Sequence, residues 1–124
     1  MAKHLLSIPI GATFPGDSPI FVATSPCYVE KIKESHSVVG STSASLQVMK
    51  CAGGTVAPES GIPLHATVID LTVTAPVAQT ATLVANAATR TLAAGDVLSL
   101  DLDGTLTGLV GVLTIELSMG EPIS

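Results

Sequence analysis

Strict alternation of apolar and polar residues is the feature that most limits what this chain can fold into. Over residues 97–103 the order is Val-Leu-Ser-Leu-Asp-Leu-Asp, with Leu98, Leu100 and Leu102 on one side and Ser99, Asp101 and Asp103 on the other. Successive side chains of a strand point to opposite faces, so a period of two marks a strand with one buried face. The same rhythm runs through 110–117, where Leu113, Ile115 and Leu117 oppose Thr114 and Glu116. It returns over 67–74, where Ile69, Leu71 and Val73 oppose Asp70 and Thr72. Shorter candidates lie at 21–24, 27–35, 44–50 and 80–85. Within 27–35, Val29 and Ile32 stand three apart, a slip that a β-bulge reconciles.

Turn-forming clusters at 11–19, 40–43, 53–63, 94–96 and 103–104 separate these runs, supplying Gly for positive φ and Asp or Ser for side-chain turns. Residues 84–92 have some helical propensity, but Thr89 and Thr91 weaken it. With no convincing cap, that stretch is expected to be a strand-turn-strand link. About seven or eight short strands without strand–helix alternation predict an all-β chain, an antiparallel β-sandwich of jelly-roll-like form. Hydrophobic residues make up 47% of the chain but aromatics only 2%, so Val, Leu, Ile and Ala must build the core.

A length of 124 residues fits one domain with a short extension. The expected division is an irregular N-terminal arm over 1–19 and the sandwich over 20–124. The arm carries Leu5, Leu6, Ile8, Ile10 and Phe14, while Pro9, Gly11, Pro15, Gly16 and Pro19 forbid a helix and shorten any strand. An apolar segment that cannot fold on itself must be buried against something or remain mobile. Either it closes a sheet edge through residues 6–10, or it lies against a neighbouring subunit. In the second case Leu5, Leu6, Ile8, Ile10 and Phe14 are the partner-binding residues.

Charge narrows the function classes. Five Lys and Arg against ten Asp and Glu give a formal net charge of −5, where a nucleic-acid binder needs a basic stripe to neutralise phosphates. No apolar run approaches the roughly 20 residues of a membrane span. The apolar run after Lys3 and His4 is short and broken by Pro9, unlike a secretory leader, so the chain is expected to be made and kept in a cytoplasm. Cys27 and Cys51 then default to reduced thiols in strands, with one disulfide between them left open.

One motif bears on catalysis. Leu98 to Thr107, with Asp101, Asp103 and the Gly104-Thr105 turn, resembles the first motif of the haloacid-dehalogenase-type phosphatases, which implies Asp101 as nucleophile and Asp103 as general acid, the pair holding Mg²⁺. The residues beyond it lack a Lys for the phosphate and a second acidic pair, and they read as another strand where that family needs a helix. Asp101 and Asp103 are therefore read as outward carboxylates before a turn. His4, His36 and His65 lack a placed acid partner and are read as exposed or hydrogen-bonded polar groups. Lys31, Lys33 and Lys50 read as a solvated face. No enzyme, cofactor or metal site is expected.

The phrase Thr91-Leu92-Ala93-Ala94-Gly95-Asp96-Val97-Leu98-Ser99-Leu100-Asp101, followed by Gly104-Thr105-Leu106-Thr107-Gly108-Leu109-Val110-Gly111-Val112, resembles the small head accessory proteins of tailed bacteriophages. Phe21-Val22-Ala23 onward to Val29, Leu46-Gln47-Val48-Met49-Lys50, the glycine-rich loop at 53–61 and Ile69-Asp70-Leu71 are similar to the same family. The resemblance covers roughly residues 21–118 and departs in the first twenty. It implies a virion structural protein, a capsid decoration or cement protein on the outer surface of the head. It further implies trimers of β-sandwiches bound to the major capsid protein. The competing class is a fibre-tip or receptor- and carbohydrate-binding β-sandwich module. Against it, sugar faces are usually met by Trp or Tyr, and this chain offers Tyr28 alone.

Overall fold

The computed structural model describes residues 3–11, 18–54 and 60–119. Among these residues ten strands and one turn of α-helix follow one another as β1 (Lys3–Gly11), β2 (Ser18–Val22), β3 (Cys27–Val38), β4 (Ser45–Cys51), β5 (Ile62–Pro63), β6 (Ile69–Asp70), β7 (Val77–Thr80), α1 (Ala87–Arg90), β8 (Thr91–Leu92), β9 (Val97–Asp103) and β10 (Val110–Met119), with a 3-10 turn over Ala52–Gly54 after β4. They form two antiparallel sheets. One has the order β1-β10-β3, with β7 and β8 end to end along the far edge of β3. The other has the order β2-β9-β4, with β6 and β5 end to end along the far edge of β4. Counting each broken pair as one strand gives eight positions, ordered 1-8-3-6 and 2-7-4-5. That is the strand order of a jelly roll, the two-sheet form expected from the alternation.

The alternation places the core where the sequence predicts it. Leu98, Leu100, Leu113, Ile115 and Leu117 are fully buried, together with Ile32, Leu46, Leu64, Leu71 and Leu92. Among the described residues no Phe or Tyr belongs to the buried core; Phe21 packs against the cluster from a half-buried position. The slip between Val29 and Ile32 is a bulge: Leu117 faces Val29 and Glu116 faces Lys31, which leaves Glu30 without a partner across the ladder. Gly104 ends β9 at φ +78°, and a Cβ there would lie 2.3 Å from the Ser43 carbonyl oxygen, so only glycine fits the turn.

Three expectations are corrected. Residues 3–11 are not irregular: β1 pairs with β10 from Lys3–Ser118 to Gly11–Val110 without a break. Pro9 interrupts nothing, because β1 is an edge strand and Pro9 sits opposite Val112 with its nitrogen turned to the unpaired side. The sheets also take up Ser18 and Pro19 in β2, so they reach into residues 1–19. Of residues 67–74 only Ile69–Asp70 is strand. Asp70 Oδ1 accepts from the Thr72 N–H at 2.8 Å and the Thr72 hydroxyl at 2.6 Å, a side-chain turn that competes with the ladder. Residues 84–92 contain one turn of helix, since Asn86 supplies the missing cap by accepting from the Ala88 N–H at 2.9 Å.

Candidate functional site

The residues singled out in the sequence fall into different settings. On β1 the side chains alternate: Leu5 is 63% exposed, Leu6 and Ile8 are half-buried against the core, and Ile10 is part of it. Phe14 lies outside the described residues. Asp101 is half-buried and Asp103 exposed on β9, opposite Gln47 and Ser45 of β4. Cys27 and Cys51 are buried thiols in opposite sheets and are not joined in a disulfide. Burial pushes the Cys27 thiol up, and the charge of Asp96 adds to that, so it is a poor nucleophile. Among the described residues no three of His, Cys, Asp and Glu come together as a metal site.

Two histidines are buried, and their partners set opposite protonation states. His65 accepts from the Val48 N–H at 2.9 Å through Nε2 and donates through Nδ1 to the Thr67 carbonyl at 2.7 Å. Burial lowers its pKa, with a smaller opposing effect from Thr67, and the ring is a neutral bracket holding β4 to the β5–β6 connection. His36 has the acid partner that the sequence left unidentified. Its Nδ1 lies 2.8 Å from Glu34 Oε2 and its Nε2 2.7 Å from the Val73 carbonyl oxygen. Both neighbours are acceptors, so both nitrogens carry hydrogen. Burial works against that charge, but the Val73 carbonyl, the Glu34 hydrogen bond and charge, and the charge of Asp70 together raise the His36 pKa. Gln79 completes the cluster, donating to Glu34 Oε1 at 2.8 Å and to the Asp70 carbonyl at 2.7 Å. Glu34 and His36 are two apart on β3 and share its inner face, so the strand's apolar stripe ends in an ion pair that anchors the β6–β7 connection.

A concave notch lies where the sixth strand position is broken. β7 covers the edge of β3 from His36 to Lys33, and the Ala81 N–H adds one bond to the Ile32 carbonyl at 2.9 Å. The chain then leaves that edge. Leu83 bridges to His65 and the Val84 N–H donates to the Leu64 carbonyl at 2.9 Å, closing the side of the sandwich against the other sheet. It returns through α1 to cover only Tyr28 and Cys27 as β8. The bulge at Glu30 falls opposite this gap. The result is a cavity of about 440 Å³ lined by Glu30, Lys31, Lys33, Thr80, Ala81, Leu83 and Arg90.

The chain matches no protein-family model, no curated protein and no solved structure.

Chemistry at this notch is therefore read from its own side chains. Of the five Lys and Arg residues, Lys3 pairs with Glu30 and lies 3.4 Å from Glu116. Lys50 caps α1, donating to the Thr91 carbonyl at 2.7 Å and the Ala88 carbonyl at 3.3 Å. The other three, Lys31, Lys33 and Arg90, all line the notch and make no ion pair among the described residues. The Arg90 guanidinium lies over the Tyr28 ring, 4.7 Å from its centroid, which orients its plane. Its Nε is buried without a hydrogen-bond partner among the described residues, a deficit that typically costs about 1–3 kcal/mol. By sequence alone Lys31, Lys33 and Lys50 look like a solvated face; folding adds Arg90 to the first two from 57 residues further along than Lys33.

Proposed function

We propose that this chain is a virion structural protein, a decoration or cement protein that binds the outside of a tailed-phage head as a homotrimer and contacts the major capsid protein. The observation that carries the reading is the outer edge of β1, which pairs with no second strand among the described residues. Pro9 fixes the pairing so that Lys3, Leu5 and Ser7 turn their N–H and C=O groups away from β10, and Leu5 projects outward beside them. A nine-residue edge strand with one lysine and one proline for protection invites a neighbouring chain. The resemblance to phage head accessory proteins and the low charge of the surface support an assembly role.

The test is the mass of the full chain in solution, followed by co-sedimentation with phage heads lacking decoration. A trimer that saturates the heads and raises their melting temperature is the expected result. Leu5→Lys, which places a second charge on the edge, should then weaken assembly while the β-rich spectrum is kept. A monomer that leaves heads unbound refutes the proposal, and one that binds host-surface glycans assigns the chain to the fibre-module class.

A further inference from the structure

We propose that the notch beside the broken strand is a binding site for a carboxylate carried on a short carbon chain. Assembly through the outer edge of β1 does not require it: the notch lies along the far edge of β3, with β10 between β3 and β1. Three observations converge on the ligand class. First, the three cations without an ion-pair partner line one cavity in a chain of net charge −5. Lys31 and Lys33 are two apart on the outer face of β3, about 7 Å along the strand, so both flexible stems can reach one anionic group. Second, Arg90 lines the same cavity and stacks on Tyr28, and its guanidinium is a planar donor fork of the kind that suits carboxylate oxygens. Third, the remaining wall is Ala81, Leu83 and the Thr80 hydroxyl, apolar enough to cover a few methylenes. Glu30 also lines the site, and its carboxylate, already engaged by Lys3, disfavours a dianion relative to a singly charged group.

Arg90 is the only arginine, so its Nε–H gives a single, self-assigned signal in an amide correlation spectrum. The full chain is titrated with butyrate, and separately with inorganic phosphate, at fixed ionic strength. Butyrate is expected to move the Arg90 Nε–H signal and the amides of Thr80, Ala81 and Leu83 saturably, with millimolar affinity. Arg90→Met should weaken that binding at least about tenfold. The double variant Lys31→Gln/Lys33→Gln, whose changes lie on an exposed strand face, should weaken it as well and guards against a folding defect at α1. Shifts that grow linearly and match those of sodium chloride would overturn the site. Unchanged affinity in both variants would do the same. Tighter binding of phosphate than of butyrate would overturn the carboxylate assignment.

Discussion

Replacing His36 by Ala should be among the most damaging single changes in the chain. His36 and Glu34 are each 1% exposed, and the imidazolium supplies Glu34 with its only charged partner among the described residues. Without it the carboxylate keeps one neutral hydrogen bond, from Gln79 at 2.8 Å. Removing one member of a buried pair typically costs about 3–5 kcal/mol, against a total stability of about 5–15 kcal/mol for a domain. At about 3–6 °C per kcal/mol for a chain of this size, the melting midpoint should fall by about 10–25 °C. Changing both residues together, as Glu34→Met/His36→Leu, should cost less than His36→Ala, because no unpaired charge is left inside. The pH dependence has a definite sign. His36 has a folded pKa above its ordinary value of 6.5, so its contribution is full below about pH 6.5 and is lost as pH rises through the folded value. Urea midpoints measured from pH 6 to pH 8 should therefore decline in the wild type by more than in His36→Ala. A cost below about 1 kcal/mol, or equal slopes in the two proteins, would refute the assignment of a charged, ion-paired His36.

Gly104→Ala should destabilise by about 2–4 kcal/mol, since it combines a positive φ with a Cβ 2.3 Å from the Ser43 carbonyl oxygen; denaturant unfolding measures it. Ile10→Ala should cost about 2–4 kcal/mol and Leu5→Ala under about 0.5 kcal/mol in the same assay, because β1 turns the first inward and the second outward. Equal costs would mean that β1 does not hold its register on β10. Asp101→Asn should leave the circular-dichroism spectrum unchanged, and the wild type should release no phosphate from p-nitrophenyl phosphate with Mg²⁺; metal-dependent release lost in the variant would reinstate the phosphatase reading.

What was legible in the sequence is what local pattern controls. The two cleanest alternations became β9 and β10, and the phase error between Val29 and Ile32 marks a bulge that the structure places at Glu30. Period-two patterning reports which side chains face inward, so the aliphatic core followed from it. It fails where a side chain outbids the ladder. Asp70 alternates correctly with Ile69 and Leu71, yet its carboxylate takes the Thr72 N–H and ends the strand. In β1 the interior cost of a proline does not apply, since at a sheet edge Pro9 loses nothing when its nitrogen faces outward. Edge or interior is a property of the whole sheet, which no window of sequence carries.

The same limit explains why the notch was not legible and why it is a site rather than a defect of packing. Its cations come from two neighbours in β3 and one residue after the chain has crossed to the other sheet and back. Period-two patterning marked Lys31 and Lys33 only as outward, which is what a solvated face also looks like. Their difference from such a face lies in what is absent around them. A continuous sixth strand would have run beside residues 29–32 of β3, filling the space that Lys31, Lys33 and Arg90 now border. Instead the crossing segment closes the sandwich against Leu64 and His65 and leaves that edge open. One topological event thus satisfies the backbone on the far sheet and concentrates unpaired positive charge on the near one. Lys50 and Lys3, neither of which lines the cavity, already have partners, whereas Lys31, Lys33 and Arg90 have no carboxylate partner within the described fold.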